Sequence, residues 1–356
     1  MNKNIALLSG DGIGPEVTTQ AVKILDSIGS AFGHTFNYQE ALIGAVAIDE
    51  TGNPFPDETL QVCLNSDAIL FGAIGHPKYD NNPKAKVRPE QGLLGMRKSL
   101  GLFANIRPVK SYPILNDFSP LKAHIIKDVD FVVFRELTGG IYFGQPRGRT
   151  EDGNTAFDTC VYSKHEIQRI TKLAFEAAER RKGKVTLVDK ANVLASSRLW
   201  REVVKEFAAE HFPDIQLDYM FVDNAAMKII LNPASFDVIL TENMFGDIIT
   251  DEASVITGSL GMLPSASVGE KSSLFEPIHG SYPEAAGKNI ANPLGAILSA
   301  AMMLESAFNM KEENEAILRA VQQALDSGYV TKDLNSEKFY STEELGDRIA
   351  TLILNN

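Results

Sequence analysis

Short apolar runs alternate with longer amphipathic segments along the chain. The run "IALLSG" (5–10) leads into "PEVTTQAVKILDSIGSAF" (15–32), where apolar residues recur at helical spacing. Further runs of strand length are "SDAILFGAIG" (66–75), "KVTLVDK" (184–190), "LDYMFVD" (217–223) and "FDVILTE" (236–242). This rhythm predicts an α/β protein with a largely parallel sheet.

The first turn carries a glycine pattern that is close to a nucleotide-binding loop. In "GDGIGPE" the glycines are Gly10, Gly12 and Gly14, and Pro15 stands where G-x-G-x-x-G requires its last glycine. Proline suits the first turn of a helix, because its missing N–H has no helical partner there. The turn is therefore either an altered nucleotide loop or a different device.

Residues 139–163 interrupt the rhythm with two β-rich runs around a polar bend. They predict a hairpin that projects from its domain. Because an isolated two-stranded ribbon is marginally stable, we expect this arm to pair with a second copy across a dimer axis. The alternative is a hairpin that folds back on its own domain.

Composition narrows the class of protein. The 356 residues carry a formal net charge of -12, which argues against non-specific nucleic-acid binding. Cys63 and Cys160 are too few for a disulfide framework and are expected to be buried thiols in a reducing compartment. No secretory signal is visible, and the longest apolar stretch, from Pro293, is too short for a membrane span. We therefore expect a cytoplasmic protein.

Positive charge gathers in residues 84–110, where seven Lys and Arg side chains stand against Glu90 alone. Arg97 and Arg107 lie among apolar residues, and Arg135 follows the run "FVVF". The guanidinium fork matches carboxylates, so three such arginines indicate a small polycarboxylate ligand. A solvated basic surface is the alternative.

Acidic residues gather in "TENMFGDIITDEAS", where Asp247 and Asp251 share one helix face. Two carboxylates there favour a bound Mg²⁺ or Mn²⁺, with Asp223 at a strand end as a further ligand. The alternative is the general preference of helix N-termini for acids. Lys190 after a buried strand and Tyr142 beside glycines are candidate base and acid, although such residues are often only structural.

Together these segments resemble the metal-dependent β-decarboxylating hydroxyacid dehydrogenases. The motifs that carry the resemblance occur in the family's order: "LLSGDGIGPEV", "RKSLGLFANIRPV", "RELTGGIYFG", "VDKANVL", "ENMFGDIITDE" and "FEPIHGSYPEAAGKNIANP". The resemblance implies a two-domain isopropylmalate/isocitrate dehydrogenase-like fold with a continuous mixed sheet, outside the Rossmann group. Residues 1–102 with 258–356 would bind the cofactor. Residues 103–257 would bind substrate and metal and form the dimer.

The resemblance also implies where NAD binds, which is not on the glycine-rich turn. The expected cofactor contacts are Ile13, Gly75, His279, Gly280, Ser281, Glu284 and Asn292. Glu284 favours NAD over NADP, because an acid binds ribose hydroxyls and repels a 2′-phosphate. His76 stands where relatives usually carry glycine, and its effect stays unassigned.

By the same resemblance, each candidate residue takes a role. Arg97, Arg107 and Arg135 would bind the malate part of the substrate, and Asp223, Asp247 and Asp251 would hold Mg²⁺ or Mn²⁺. Lys190 would accept the hydroxyl proton as hydride leaves for NAD⁺, and Tyr142 would protonate the enol that follows loss of CO₂. Lys190 and Asp223 would come from the other subunit of an obligate homodimer.

The substrate is interpreted from the helix before Arg97. Glu90, Leu93 and Leu94 stand where isocitrate-type enzymes meet a third carboxylate, and two leucines suit an isopropyl group instead. The expected reaction converts 3-isopropylmalate to 4-methyl-2-oxopentanoate and CO₂ in leucine biosynthesis. The alternatives are a sister enzyme acting on D-malate or tartrate, leucines that are simply core, a metal-dependent hydrolase, and a non-catalytic scaffold.

Overall fold

A computed structural model describes residues 1–82, 85–116 and 118–355. Lys84, one of the basic residues counted above, lies outside the described residues. The strands are β1 Asn2–Gly10, β2 Thr35–Glu40, β3 Ala68–Ala73, β4 Ala104–Lys110, β5 Asp130–Glu136, β6 Gly148–Arg149, β7 Ala156–Phe157, β8 Lys184–Asp189, β9 Gln216–Phe221, β10 Val238–Thr241, β11 Pro264–Val268 and β12 Ser273–Pro277.

The α-helices are α1 Gly14–Phe32, α2 Ala45–Thr51, α3 Asp57–Leu64, α4 Pro77–Asp80, α5 Pro89–Ser99, α6 Ala123–Ile126, α7 Lys164–Glu179, α8 Ala195–His211, α9 Val222–Leu231, α10 Asn243–Ala253, α11 Leu294–Ser306, α12 Lys311–Asp326 and α13 Thr342–Leu354. Short 3₁₀ helices occupy Pro113–Leu115, Gly140–Tyr142, Pro233–Ser235, Ser254–Ile256, Leu260–Met262 and Pro283–Ala285. Within the described residues, no helix combines the length and apolar character needed to cross a bilayer.

The chain folds into two compact units, Met1–Leu102 with Gly258–Asn356, and Phe103–Thr257. In the first unit the strand order is β2-β1-β3-β12-β11. β1 runs parallel to β2 and β3, β12 runs parallel to β3, and β11 closes antiparallel to β12. Helices α1, α11, α12 and α13 pack on one another in this unit, and the apolar helix after Pro293 is buried as expected.

In the second unit the strand order is β4-β5-β10-β8-β9. β4 is antiparallel to β5, and all other neighbours are parallel. Alternate β5 residues enter separate cores: Val132 and Phe134 pack with Trp200, whereas Phe131 and Val133 pack with Phe236. The predicted α/β layering with largely parallel sheets is confirmed. The carboxyl ends of β5, β10, β8 and β9 meet at one edge, where open α/β sheets bind ligands.

The glycine-rich turn is a close-packed backbone turn. Gly10 and Gly12 have φ of 70° and 59°, and a Cβ on Gly12 would lie 2.0 Å from the Ser281 carbonyl oxygen. The Ile13 N–H donates to that same oxygen at 2.8 Å. Pro15 lies in the first turn of α1, as predicted. These glycines therefore serve close contact between two backbone segments.

The predicted arm is present as a short ribbon. Gly148 pairs with Phe157 and Arg149 with Ala156, and all four residues are exposed. Two paired residues on each strand do not make a stable sheet alone. Pairing of this arm with a second copy stays a prediction.

The two thiols differ. Cys63 is buried, as expected, but Cys160 is only half-buried. Cys160 lies on the stem of the arm, where its thiol reaches the Ser196 hydroxyl at 3.7 Å. The expectation of two buried thiols is therefore wrong for Cys160.

Candidate active site

Two predicted arginines lie side by side on the second unit's sheet. In the β4–β5 register Asn105 faces Arg135 and Arg107 faces Val133, so the two arginines are diagonal neighbours. Both are almost fully buried, with 7 % of Arg107 and 3 % of Arg135 exposed. Buried arginines need oriented acceptors, and α10 supplies most of them.

The N-terminal half of α10 binds the guanidinium group of Arg135. Its Nε donates to the Asn243 carbonyl oxygen at 2.9 Å, and its Nη2 donates to Asn243 Oδ1 at 2.9 Å. Its Nη1 donates to Asp247 Oδ1 at 2.5 Å. A Cβ on Gly246 would lie 2.5 Å from Arg135 Cγ, so the helix approaches the arginine stem as closely as a glycine allows.

Arg107 is held by the same helix one turn later. Its Nη1 donates to Thr250 Oγ1 at 2.5 Å, and its Nε donates to Asn105 Oδ1 at 2.6 Å. Its terminal nitrogens lie 3.9 Å from Asp247 and 3.7 Å from Asp251. The structure thus brings Arg107, Arg135, Asp247 and Asp251 together.

Tyr142 joins this cluster through its hydroxyl, which donates to Asp247 Oδ2 at 2.9 Å. Burial and the nearby Asp247 charge raise the pKa of Tyr142, so its phenol keeps its proton near neutral pH. The neighbouring glycines have a structural reason, because a Cβ on Gly139 or Gly140 would meet the ring of Tyr162 at 2.6 or 2.4 Å. They hold the Tyr142 segment against a buried aromatic ring.

The acidic groups fit a divalent ion only in part. Asp247 and Asp251 lie one turn apart on α10, and their side chains are 37 % and 67 % exposed. Over the described ranges of a single chain, however, no group of three His, Cys, Asp or Glu side chains is arranged to hold a metal ion. Asp223 is therefore not brought to Asp247 and Asp251 within one chain.

Lys190 and Asp223 form a separate pair at the same edge of the sheet. Lys190 follows β8 and Asp223 lies in the first turn of α9, as predicted. Lys190 Nζ donates to Asp223 Oδ1 at 2.5 Å, and this hydrogen bond lowers the pKa of Asp223. The side chains are 28 % and 67 % exposed.

The remaining substrate candidates lie in the first unit. Arg97 Nη2 donates to buried Glu276 at 3.1 Å, and Arg97 Nε is buried without a hydrogen-bond partner among the described residues. Leu93 packs against the core of this unit, whereas Leu94 is 37 % exposed. Glu90 is exposed.

Gly75 lies beside two other candidates. A Cβ there would be 3.0 Å from Glu90 Oε1 and 3.6 Å from Ser281 Oγ. The Gly75 N–H donates to the buried Asp11 carboxylate at 2.9 Å, and Asp11 also accepts from the Ala45 N–H. The structure thus brings Gly75, Glu90 and Ser281 together in the first unit.

A cavity of about 260 Å³ opens in the first unit beside the loop predicted to hold the cofactor. Its wall includes four predicted cofactor residues: Ile13, His279, Gly280 and Asn292. It also includes residues that the sequence analysis missed, namely Ser259, Leu260, Gly261, Tyr282, Ile290, Ala291 and Asp333. The three other predicted residues, Gly75, Ser281 and Glu284, are not among the lining residues.

Polar groups line this cavity at defined points. Asp333 accepts from the Asn292 side chain at 3.1 Å and from the Ser259 hydroxyl. His279 Nδ1 bonds the Gly280 carbonyl at 2.9 Å, while its Nε2 is buried without a partner in the described structure. Burial lowers the pKa of His279, so this ring is neutral at physiological pH. The lining residues therefore offer a neutral imidazole, an amide and a carboxylate.

Comparisons with known proteins identify the family of this chain. The family model described as isocitrate/isopropylmalate dehydrogenase matches residues 4–349. A 3-isopropylmalate dehydrogenase from Geobacillus kaustophilus is 57 % identical, covering 99 % of this chain and 96 % of that protein. A 3-isopropylmalate dehydrogenase from Bacillus subtilis is 55 % identical, covering 99 % of this chain and 98 % of that protein.

A solved structure gives the same result for the fold. An isocitrate dehydrogenase from Methylococcus capsulatus superposes with a TM-score of 0.88 at 32 % identity, covering 99 % of each chain. The chain therefore belongs to the isocitrate/isopropylmalate dehydrogenase family, whose members are oxidatively decarboxylating dehydrogenases that need a nucleotide cofactor and a divalent metal ion.

Proposed function

We propose that this protein is an NAD-dependent, Mg²⁺- or Mn²⁺-requiring homodimer that converts 3-isopropylmalate to 4-methyl-2-oxopentanoate and CO₂ in leucine biosynthesis. The observation that carries the proposal is the cluster on β4, β5 and α10. Two buried arginines, two aspartates and a tyrosine converge there, joined by the hydrogen bonds of Arg135 and Tyr142 to Asp247. The high identity to proteins named for this reaction supports the substrate.

Substrate recognition follows from the arginines. Arg107 and Arg135 offer guanidinium groups in a buried setting, where an unpaired carboxylate would be costly and a paired one is well bound. Arg97 is the third arginine proposed to bind substrate, and its Nε has no partner among the described residues. Leu94, exposed beside it on α5, is suited to contact an isopropyl group.

The carboxylates support a hard divalent ion. Asp247 and Asp251 would hold it together with Asp223 of the partner subunit, since oxygen ligands suit Mg²⁺ and Mn²⁺. Such an ion would supply Lewis acidity to the substrate's hydroxyl and carboxylate oxygens. The need for a third carboxylate from elsewhere supports the proposal that two chains share each active site.

The cavity beside His279 supports NAD. Its volume and its neutral imidazole, amide and carboxylate groups suit an adenosine moiety. Asp333 on its wall and Glu284 on the loop would both repel a 2′-phosphate. Among the described lining residues none is Lys or Arg, so the wall offers no charged partner for that phosphate.

The chemistry then divides between the two groups of residues. Lys190 of the partner subunit, acting as the neutral amine, would accept the substrate's hydroxyl proton, and NAD⁺ when bound would supply the hydride acceptor. The arginines would hold the carboxylates while the 3-carboxy-2-keto acid loses CO₂. Tyr142, whose phenol keeps its proton, would donate it to the resulting enol carbon.

The test is NADH absorbance with NAD⁺ and Mg²⁺, offering 3-isopropylmalate, D-malate, tartrate and isocitrate in parallel. We expect a strong preference for 3-isopropylmalate and little activity with NADP⁺. Turnover of D-malate or tartrate alone would overturn the substrate while keeping the reaction class. No turnover of any substrate, with either cofactor or with Mn²⁺, would overturn the proposal.

A further inference from the structure

We propose that Arg201 on α8 is a positioning residue that holds Lys190 and Asp223 in register for the active site of the partner subunit. The inference rests on the proposed function, because it concerns how those two side chains are presented. No motif in the sequence pointed to Arg201, which lies 11 residues beyond Lys190 on a helix.

Arg201 binds the side chain of Asp189, the residue before Lys190. Its Nε donates to Asp189 Oδ2 at 2.6 Å, and its Nη2 donates to Asp189 Oδ1 at 3.1 Å. The Asp189 carboxylate also accepts the N–H of Ala191 at 2.9 Å, so it bridges the two peptides that flank Lys190. Asp189 is 2 % exposed, and a two-point bond to a buried carboxylate fixes both position and orientation.

The other side of Arg201 reaches the strand that leads to Asp223. Its guanidinium lies 5.0 Å from the ring centre of Tyr219 and 5.2 Å from that of Phe221. In the β8–β9 register Phe221 is the direct neighbour of Asp189. Arg201 therefore spans the two strand ends from which Lys190 and Asp223 emerge.

The same face of α8 also holds the Lys190 backbone. Ser197, one helical turn before Arg201, accepts the Lys190 N–H on its hydroxyl oxygen at 3.1 Å. The Lys190 carbonyl accepts the N–H groups of Val193 and Leu194 at 3.0 and 2.9 Å. The Lys190 main chain is thus fixed by α8 and by the residues immediately before that helix.

Fixing the main chain at Lys190 matters because the lysine side chain itself is flexible. Its ammonium sits on a four-carbon stem, 28 % exposed in one chain, with Asp223 at 2.5 Å and the Phe221 ring centre at 5.9 Å. A shift of about 1 Å in a catalytic group can cost about 100-fold in rate. Arg201→Gln should therefore lower kcat by about 100-fold with little change in KM, and Arg201→Lys should restore only part of it because it lacks the two-point bond.

Arg181→Gln is the matched control for loss of stability. Arg181 also bonds a buried aspartate in the same unit, Asp237 at 2.9 Å, but it lies outside the cluster around Lys190. We expect both variants to lose thermal stability and only Arg201→Gln to lose kcat. Equal losses of kcat in the two variants would show that Arg201 acts through stability alone and would overturn the proposal.

Hybrid dimers give the sharper test, because Arg201 should fail together with its own chain's Lys190. The Arg201→Gln chain paired with a Tyr142→Phe chain keeps one site with an intact tyrosine and an intact lysine, so activity should return to about half of wild type. The Arg201→Gln chain paired with a Lys190→Ala chain should keep only one slow site, with about half of the activity of the Arg201→Gln homodimer. The reverse pattern would overturn the inference.

The hybrid of Tyr142→Phe with Lys190→Ala separates this inference from the proposed function. It should also recover about half of the wild-type activity if two chains share each site. If this hybrid stays inactive, the shared site is wrong, and the inference built on it falls as well. If it is active and Arg201→Gln does not follow Lys190→Ala, only the role of Arg201 is wrong.

Discussion

The arginine cluster and the Lys190–Asp223 pair lie at one edge of the same unit, yet they are built differently. Arg107 and Arg135 are 7 % and 3 % exposed and are bonded to the main chain or side chains of α10. Lys190 and Asp223 are 28 % and 67 % exposed, and their side chains meet in one short ion pair. The first group is shielded by its own chain, whereas the second faces solvent.

This difference indicates which group is preorganised within a single chain. A buried arginine is pre-organised before substrate arrives, and the cost of removing it from water is met during folding. An exposed ion pair contributes little to stability, because water screens the attraction between its two charges. We infer that Lys190 and Asp223 become effective when a partner surface covers them, consistent with the proposed shared site.

The largest expected effect comes from breaking the buried group. Arg135→Ala should lower kcat/KM for 3-isopropylmalate by more than about 1000-fold and destabilise the fold by about 3–5 kcal/mol. The reason is that Asn243 and Asp247 would both lose their buried partner. Urea unfolding, compared with steady-state kinetics on the same preparation, measures both quantities. A stable but inactive Arg135→Ala would show that the cluster is not part of the folding core.

Breaking the Lys190–Asp223 pair should lower activity while leaving stability almost unchanged. Lys190→Ala should lower kcat by about 100- to 10,000-fold, as expected for loss of a general base, with almost no change in Tm. Lys182→Ala, on the loop before β8, provides a surface control whose activity should stay near wild type. A large drop in Tm for Lys190→Ala would contradict the distinction between the two groups.

Removing one of the proposed metal carboxylates should have the next largest effect. Asp251→Asn keeps the shape of the side chain and removes its charge, so Mg²⁺ affinity measured by calorimetry in the presence of substrate should fall by at least about tenfold. The neighbouring Glu252→Gln is the control and should bind Mg²⁺ as wild type does. If Asp251→Asn binds the ion unchanged, the assignment of Asp251 as a ligand is wrong.

Leu94 should affect substrate preference, whereas Leu93 should mainly affect stability. Leu94→Ala should reduce kcat/KM for 3-isopropylmalate relative to D-malate by about tenfold, because only the larger substrate has an isopropyl group to lose contact. Leu93→Ala should mainly lower thermal stability, because Leu93 packs on the core of the first unit. Equal losses for both substrates in Leu94→Ala would exclude this leucine from the specificity pocket.

The smallest expected effect is a pH-dependent change in stability at Glu242. This carboxyl is buried, and burial raises its pKa above the usual 4.5, although the Phe245 N–H and the Tyr162 hydroxyl act in the opposite direction. The folded protein therefore holds this proton more tightly than the unfolded chain does. Stability is lost as pH rises from 4.5 towards the raised pKa, by at most about 1.4 kcal/mol per pH unit.

Glu242→Gln removes that titration and keeps an oxygen that can accept the Phe245 N–H at the start of α10. The variant should match wild type near pH 4 and become progressively more stable than wild type as pH rises. Thermal unfolding across this pH range measures the difference. A constant difference at every pH would mean that Glu242 does not titrate in the folded state within this range.

Local spacing predicted much of the fold and part of the site. The 3.6-residue period placed Asp247 and Asp251 on one helix face, and the strand-to-helix pattern placed Asp223 at the start of α9. Such relations involve neighbours along the chain, so a sequence shows them directly. The family motifs added roles for Arg107 and Arg135 that composition alone left open.

Contacts between distant segments could not be predicted in the same way. Asn243 binds Arg135 across 108 residues, and Asp333 reaches the cavity wall beside Asn292 from 41 residues away. Arg201 meets Asp189 only because α8 packs back beside β8. These partners are common polar residues without a distinguishing spacing, and tertiary packing alone selects them.

The central proposal is that the active site of a single chain is incomplete. Its most direct test is specific activity measured over a wide range of protein concentration, with the dimer fraction determined in parallel by sedimentation. We expect activity per chain to fall in proportion to the dimer fraction as the protein is diluted, because Lys190 and Asp223 would then lack the partner site they serve. Full activity per chain from a dissociated monomer would contradict the shared active site.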